Sequence, residues 1–184
     1  MAPARGKAAT AILAAAHRLV EEKGESFTTQ EVIQEAGVAL WTFYRHYNGK
    51  DGLLLAVIAD RIGGFCDVLA RQLEPITDPV ERLRVCVRSP LEGFFAGSAQ
   101  VGRFITSEHW RLLQIDPDGV VAATLPYTDL VRGVLEEGEA AGVLAPRDPE
   151  RDAWAISKMV MSVFHHLAFA PADPRRETAA EDVW

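Results

Sequence analysis

The sequence predicts an all-α protein with a small N-terminal helix-turn-helix domain and a larger helical domain after it. Apolar residues recur at helical spacing along most of the chain, and no run alternates with the two-residue period of a half-buried strand. Glycines and prolines punctuate the periodic stretches, as expected at helix ends. With 184 residues, 48% of them hydrophobic and 24% charged, the composition is that of a folded globular protein. We expect the domains to cover residues 1–49 and 50–184.

The N-terminal domain is predicted to contain three helices. The first has one apolar face and ends at Gly24, and that face consists of Ile12, Leu13, Ala16, Leu19 and Val20. Thr28 and Glu31 have the spacing of a capping box, which opens a second short helix. Gly37 ends that helix, and a third covers about residues 40–46.

Five longer helices are predicted beyond the Asn48-Gly49 turn. They cover about residues 50–73, 79–97, 101–114, 119–141 and 149–169. Pro75 ends the first, and an Asp-Pro pair opens three of the others, since aspartate caps helices and proline fits the first turn. A short helix-like stretch, residues 176–184, closes the sequence. We expect the natural chain to continue beyond it or this tail to pack against a partner.

Several classes of protein are disfavoured. Cys66 and Cys86 lack the spacing of a zinc site, and we expect them to be buried free thiols rather than a disulfide. His165 and His166 diverge by about 100° on a helix, so we expect no metal there. No stretch reaches the roughly 20 apolar residues of a membrane span. No catalytic or phosphate-binding motif is present. The expectation is a cytoplasmic protein that is not an enzyme, has no cofactor and does not bind membranes.

Residues 28–46 have helix-turn-helix spacing. Two short helices flank the small residues of the segment 36–39, which allow close packing at the turn. Phe43 and Tyr47, four residues apart, can face inward from the second helix. Its other faces carry hydrogen-bonding side chains that suit the edge of DNA better than a protein core.

Together these pieces resemble the N-terminal domain of the TetR family of bacterial transcriptional regulators, over residues 10–58. The matching segments are Ile12-Leu13-Ala14-Ala15-Ala16 with Leu19 and Gly24, then Thr28-Thr29-Gln30-Glu31-Val32 with Ala36-Gly37-Val38, and finally Thr42-Phe43-Tyr44-Arg45-His46-Tyr47 with Gly49-Lys50-Asp51 and Leu53-Leu54. The remainder of the chain is similar to the family in its helical pattern and its length.

The resemblance implies a homodimer that binds a pseudo-palindromic double-stranded DNA operator, most simply as a repressor released by a small lipophilic effector. The implied phosphate contacts are Thr28, Thr29, Tyr44, His46 and Lys50. The implied contacts to base edges or nearby backbone are Leu40, Trp41, Thr42 and Arg45. Hydroxyls, lysine and a helix N-terminus suit phosphate oxygens, and arginine suits guanine.

Two positions depart from the family pattern. Ala39 stands where the family usually has Ser or Thr and so lacks a capping side chain. Trp41 stands where Gly is common, so its ring either contacts the groove or changes how this chain binds DNA. The alternative function is therefore a ligand-binding dimeric helical protein with weak or altered DNA binding.

The larger domain offers candidates for two further surfaces. The resemblance implies an effector pocket, for which the candidates are Phe65, Phe94, Phe104, Glu108, Trp110 and Tyr127. Ordinary core packing is the alternative for the aromatic residues, and a solvated helix face is the alternative for Glu108. The helix at 149–169 is too apolar to face water on every side, and the family pairs its last helices across a dimer. The predicted interface residues are Ala153, Ile156, Val160, Val163, Phe164 and Leu167.

The formal charge of −7 is unevenly distributed. Residues 1–52 contain six basic and six acidic side chains, whereas the rest of the chain contains 13 basic and 20 acidic ones. The sequence therefore predicts a neutral head with local basic groups on an acidic body. Repulsion between that body and DNA would help to orient the approach.

Overall fold

The computed structural model describes residues 6–93, 99–170 and 172–184. Within these ranges all regular structure is helical, which confirms the predicted all-α fold. The helices are α1 (Lys7–Lys23), α2 (Thr29–Ala36), α3 (Leu40–His46), α4 (Gly49–Leu73), α5 (Pro79–Gly93), α6 (Ala99–Ile115), α7 (Pro117–Ala140), α8 (Pro149–Phe169) and α9 (Ala179–Val183), with a 3-10 turn at Pro174–Arg176. The predicted fifth helix extends to residue 97, and its last four residues lie outside the described part of the chain.

Helices α1 to α3 pack around one small apolar centre. Ile12 and Val20 of α1 and Phe43 of α3 are fully buried there, together with Leu53 and Leu54 from the start of α4. Helix α4 runs on for 25 residues from this centre into the larger helical body. It packs against α1 near its start and against α7 along its length, so one rigid element joins the two regions.

The larger body consists of α4 to α8. Helix α7 packs against α4, α5, α6 and α8 and so lies at the middle of the bundle. Its buried face contains Val131 and Val134, which belong to the same apolar core as Phe104 of α6 and Phe164 of α8. Isolated helices are only marginally stable in water, so the helices of this body stay folded mainly through such packing.

The Asp-Pro pairs open helices as predicted. Asp116 accepts a hydrogen bond from the backbone N–H of Gly119 at 3.0 Å, and Asp148 accepts from Glu150 and Arg151 at the start of α8. Two prolines, Pro90 in α5 and Pro126 in α7, lie instead inside helices. Each removes one backbone hydrogen bond from its helix, and both lie within the helix ranges predicted from periodicity.

The C-terminal tail packs on its own chain. Ala179 and Ala180 of α9 are buried, and α9 contacts α5. Arg84 of α5 lies over the ring of Trp184, 5.1 Å from its centroid, and Arg88 forms an ion pair with Glu181. These contacts give this marginal helix its tertiary support.

The two cysteines are buried free thiols, as predicted. Burial raises the pKa of Cys66 to about 11 and that of Cys86 to about 12, so both remain uncharged at neutral pH. Among the described residues, no helix combines the length and the apolar character that crossing a membrane requires.

Candidate functional site

The N-terminus of α2 is held by the capping box that the sequence predicted. The Thr28 hydroxyl accepts a hydrogen bond from the Glu31 N–H at 3.2 Å, and the Glu31 carboxylate accepts from the Thr28 N–H at 2.6 Å. Lys23 donates to the same carboxylate at 2.5 Å. The Lys23 ammonium, followed by the hydrogen bonds from Thr28, lowers the pKa of Glu31 to about 2. The start of the helix is therefore fixed before any ligand arrives.

The turn between α2 and α3 depends on one glycine. Gly37 has φ of +64° and ψ of 35°, a left-handed conformation that costs glycine little because it has no Cβ. Its N–H donates to the carbonyl of Gln34, and the N–H of Val38 donates to that of Ile33. Ala39 then precedes α3 without a side-chain cap, in agreement with the departure noted from the sequence.

Helix α3 is anchored from one face. The ring of Phe43 is fully buried, and the rings of Tyr44 and Tyr47 lie 5.3 and 6.0 Å from it, centroid to centroid. The Tyr47 hydroxyl donates to the carbonyl of Ala9 at 3.2 Å, which fixes the end of α3 against α1. A seven-residue helix held this way presents its remaining side chains in defined directions.

The opposite face of α3 is exposed and unusually apolar. Leu40 is 56% exposed, Trp41 64% and Tyr44 57%. The guanidinium of Arg45 lies over the Trp41 ring, 4.9 Å from its centroid, so the two side chains form one flat cationic surface. Exposed aromatic groups of this size usually mark an interaction surface.

The other predicted DNA contacts differ in accessibility. Thr28 is exposed, while Thr29, Thr42, His46 and Lys50 are half-buried. The Lys50 ammonium donates to the carbonyl of Glu25 at 2.5 Å and lies 4.8 Å from the centroid of the Phe27 ring. In this conformation Lys50 therefore ties α4 to the loop before α2 and has only its remaining N–H groups for a phosphate.

A cavity of about 170 Å³ lies among helices α4 to α8. Three of the six predicted effector residues, Phe65, Trp110 and Tyr127, are in its wall. The Tyr127 hydroxyl is already engaged, since it donates to the carbonyl of Cys86 at 2.9 Å, and burial raises its pKa. Phe104 packs in the core and is not in the wall, and Phe94 lies outside the described residues.

Glu108 does not line the cavity but connects it to the N-terminal region. Its buried carboxylate accepts a hydrogen bond from Arg111 at 2.8 Å, and Arg111 also reaches Asp51 at 2.6 Å. These two carboxylates raise the pKa of Arg111, so its charge is secure. Asp51 is in the first turn of α4, five residues after α3 ends. The bridge therefore links α6, which lines the cavity, to the first turn of α4, which follows α3 in the chain.

Two histidines also lie in the cavity wall. His165 of α8 and His109 of α6 have ring centroids 4.9 Å apart, and Nδ1 of His165 lies 2.9 Å from the hydroxyl of Thr106. Burial, followed by repulsion from His109, lowers the pKa of His165 to about 4, and burial also lowers the pKa of His109. The Thr106–His165 contact spans 59 residues, so local sequence patterns contain no signal for it.

The N-terminal region matches a known family. Residues 12–57 fit the model of the bacterial regulatory proteins of the tetR family, a range that covers α2 and α3, most of α1 and the start of α4. The N-terminal domain is a TetR-family domain. This confirms the family that the sequence was found to resemble.

A curated relative is similar to part of this chain. The HTH-type transcriptional regulator HbdR of Aromatoleum sp. (strain CIB) is 33% identical over 73 residues, which are 39% of this chain. The match spans about a third of that regulator's own length, 32%.

The fold of the whole chain also has solved counterparts. FadR of Thermus thermophilus, a TetR-family transcriptional repressor in complex with lauroyl-CoA, is 26% identical with a TM-score of 0.75, covering 95% of this chain and 90% of its own. FadR of Bacillus subtilis, in complex with stearoyl-CoA, is 16% identical with a TM-score of 0.76, covering 95% and 94%. The arrangement of helices around the cavity is therefore one that known structures share.

The predicted dimer residues lie on the inner face of α8. Four of the six are 0–2% exposed because helices of the same chain cover them: Ala153, Val160, Phe164 and Leu167. No surface of these four remains for a second copy to bury, and Phe164 lines the cavity instead. Ile156 and Val163 are half-buried. The outer face of α8 exposes Trp154, Met159 and Phe169.

Proposed function

We propose that this protein is a transcriptional regulator, most simply a repressor, that binds a pseudo-palindromic operator as a homodimer and releases it when a lipophilic effector occupies the α4–α8 cavity. One observation carries the proposal. Helix α3 is anchored by Phe43 and exposes Leu40, Trp41 and Arg45, as a helix that enters the major groove must.

The exposed face of α3 has the chemistry of base readout. An arginine can contact guanine in bidentate fashion, and apolar groups pack against the methyl group of thymine. The Trp41 ring holds Arg45 at 4.9 Å and restricts its freedom before binding, so less side-chain entropy is lost on contact. We propose that Trp41 therefore assists Arg45 rather than blocking the groove.

The proposed effector response runs through α6 and α4. Trp110 lines the cavity, and Arg111, the next residue, bridges buried Glu108 and Asp51. A ligand that moves α6 would pull on the first turn of α4 and so reorient α3. The ligand must bind the DNA-competent and DNA-incompetent arrangements with different affinity for this to work.

The size of the helix that reads DNA supports the proposed dimer. One seven-residue helix covers only a half-site, so two copies related by a two-fold axis are needed for a pseudo-palindrome. The outer face of α8, with Trp154, Met159 and Phe169, is the apolar surface that supports this part of the proposal. We retain residues 1–49 and 50–184 as the proposed domains.

The DNA part is tested by selecting bound duplexes from a random pool. We expect an inverted repeat, and binding to it should weaken steeply with salt because phosphate contacts release counterions. A Trp41→Gly variant should lose affinity and sequence preference, and unchanged binding would remove Trp41 from the interface. Weak, sequence-independent binding would favour the alternative of a ligand-binding helical dimer.

The effector part is tested by adding lauroyl-CoA to the selected complex, because the Thermus thermophilus relative was solved with that compound. Release by lauroyl-CoA but not by coenzyme A would support a lipophilic effector. Release by coenzyme A alone would contradict it. An Asp51→Asn variant should still bind DNA but respond less to the effector, since it breaks the bridge at Arg111.

A further inference from the structure

The cavity wall contains an imidazole whose protonation state follows from its neighbours. The Thr106 hydroxyl donates to the carbonyl of Gly102 at 3.0 Å, which uses its single hydrogen. The 2.9 Å contact between that hydroxyl oxygen and Nδ1 of His165 must then be a donation by the imidazole. Neutral His165 therefore carries its hydrogen on Nδ1 and leaves Nε2 as a bare acceptor.

Nε2 of His165 is buried and has no hydrogen-bond partner among the residues that the structure describes. The hydroxyl oxygen of Ser157, two helical turns earlier on the cavity side of α8, is also buried and has no hydrogen-bond partner among the described residues. Nearly all buried polar atoms in proteins are paired, because an unpaired one loses its hydrogen bonds to water without replacement. An unpaired acceptor in a cavity wall indicates that something else supplies the donor.

The surroundings of this acceptor are aromatic. The rings of Trp110 and Phe164 each have centroids 5.6 Å from that of His165. A cavity of about 150 Å³ lined by apolar groups holds benzene, so this one, of about 170 Å³, has room for one substituted ring. With its pKa lowered to about 4, His165 is uncharged at neutral pH and offers no charge to an anion. Lys158 is the cation in the described part of the wall.

We propose that this cavity binds a small aromatic alcohol whose hydroxyl donates a hydrogen bond to Nε2 of His165. The inference rests on the proposed function, because it names the chemistry of the effector at the same site. The ring would occupy the space beside Phe65 and Met161, and the hydroxyl would reach Nε2 past Trp110. Trp110 is 53% exposed, so about half of its surface is free of protein contacts.

The proposal is tested by calorimetric titration of the full chain with phenol, toluene and benzoate, without DNA. We expect phenol to bind at least about tenfold more tightly than toluene, because a site built for a donor penalises an analogue that lacks it. Equal or tighter binding of toluene would overturn the proposal, and so would failure of all three compounds to bind. Tighter binding of benzoate than of phenol would place the recognition at Lys158 and also overturn it.

Variants of His165 locate the effect. His165→Asn keeps a donor near Thr106 but lacks an acceptor at Nε2, so the preference for phenol over toluene should disappear. His165→Gln places an amide oxygen near Nε2 and should restore part of it. The matched control is His166→Asn, which alters the exposed neighbouring residue and should retain the full preference. The ratio of phenol affinity to toluene affinity, measured on the unaltered chain, tests the proposal even where a variant fails to fold.

The two proposals fail in different ways. Tight binding of phenol without release of operator DNA would leave this inference intact and contradict effector control by the cavity. Release of DNA by lauroyl-CoA together with no binding of phenol would support the proposed function and overturn this inference.

Discussion

Protonation of His165 should make the stability of this protein depend on pH. The pKa of His165 is lowered to about 4 from the 6.5 expected in the unfolded chain, mainly by burial. Above pH 6.5 the group is neutral in both states. As the pH falls from 6.5 to 4, the unfolded chain binds a proton that the folded chain does not, so stability is lost over this window. The neighbours that face the ring add to the effect, since His109 and Lys158 repel a positive charge there.

The size of the loss follows from these two pKa values. Between about pH 7.5 and about pH 5, the linkage relation gives a loss of about 2 kcal/mol for this single group. For a chain of this length, that corresponds to a fall in Tm of about 4–8 °C. The folding free energy of such a domain is about 5–15 kcal/mol, so the loss is large enough to measure.

The assay is denaturant unfolding followed by circular dichroism at the two pH values, with the unaltered chain and His165→Asn at one protein concentration. Carboxylates such as Glu31, whose pKa is lowered to about 2, contribute to both proteins and cancel in the comparison. We expect the unaltered chain to lose about 2 kcal/mol more than the variant between the two pH values. A difference below about 0.5 kcal/mol would refute the assignment of a desolvated imidazole at residue 165.

Three other tests, two of them with a matched control, have defined outcomes. A Cβ at Gly138 would lie 2.4 Å from Cδ1 of Leu144, so Gly138→Ala should lower the free energy of unfolding by about 1–3 kcal/mol. The control is Gly133→Ala in the same helix, where a Cβ would meet open space. It should raise the free energy of unfolding by up to about 1 kcal/mol in the same assay. Thr28→Ala should cost about 1 kcal/mol through loss of the α2 cap, measured the same way. Arg45→Met should weaken operator binding in a gel-shift titration, while Arg151→Met, a matched change on α8, should leave it unchanged; equal effects would show that α3 is not the reading helix.

The N-terminal domain was predictable because its signals are local. The capping box at Thr28, the glycine at the turn and the buried Phe43 all act within a few residues, and α3 begins and ends where the sequence placed it. The uncapped Ala39 was equally visible. The contacts of Lys50 were not, because its partners Glu25 and Phe27 come together only when α4 folds back beside the loop before α2.

The faces of the larger domain could not be assigned in the same way. A helical stripe of apolar residues shows that a face is buried, but it does not tell which neighbour covers it. Ala153 and Phe164 belong to such a stripe and were predicted to face a second copy, but helices of the same chain cover them. Trp110 and Phe104 have the same aromatic character, and only the packing of α6 against α7 and α8 places Trp110 in the cavity wall and Phe104 in the core.

The strength of the bridge at Arg111 limits what it can do alone. Asp51 and Arg111 are 50% and 44% exposed, and pairs this exposed contribute at most about 1 kcal/mol, a factor of about five in an equilibrium. Because Glu108 is buried, separating it from Arg111 would cost more free energy than separating Asp51 from Arg111. Regulation by more than about fivefold therefore requires the packed contacts of α4 with α1, around Leu53 and Leu54, to move together with the bridge. In the proposed mechanism the ion pair would set the direction of the response, and the apolar contact between the two regions would supply most of its energy.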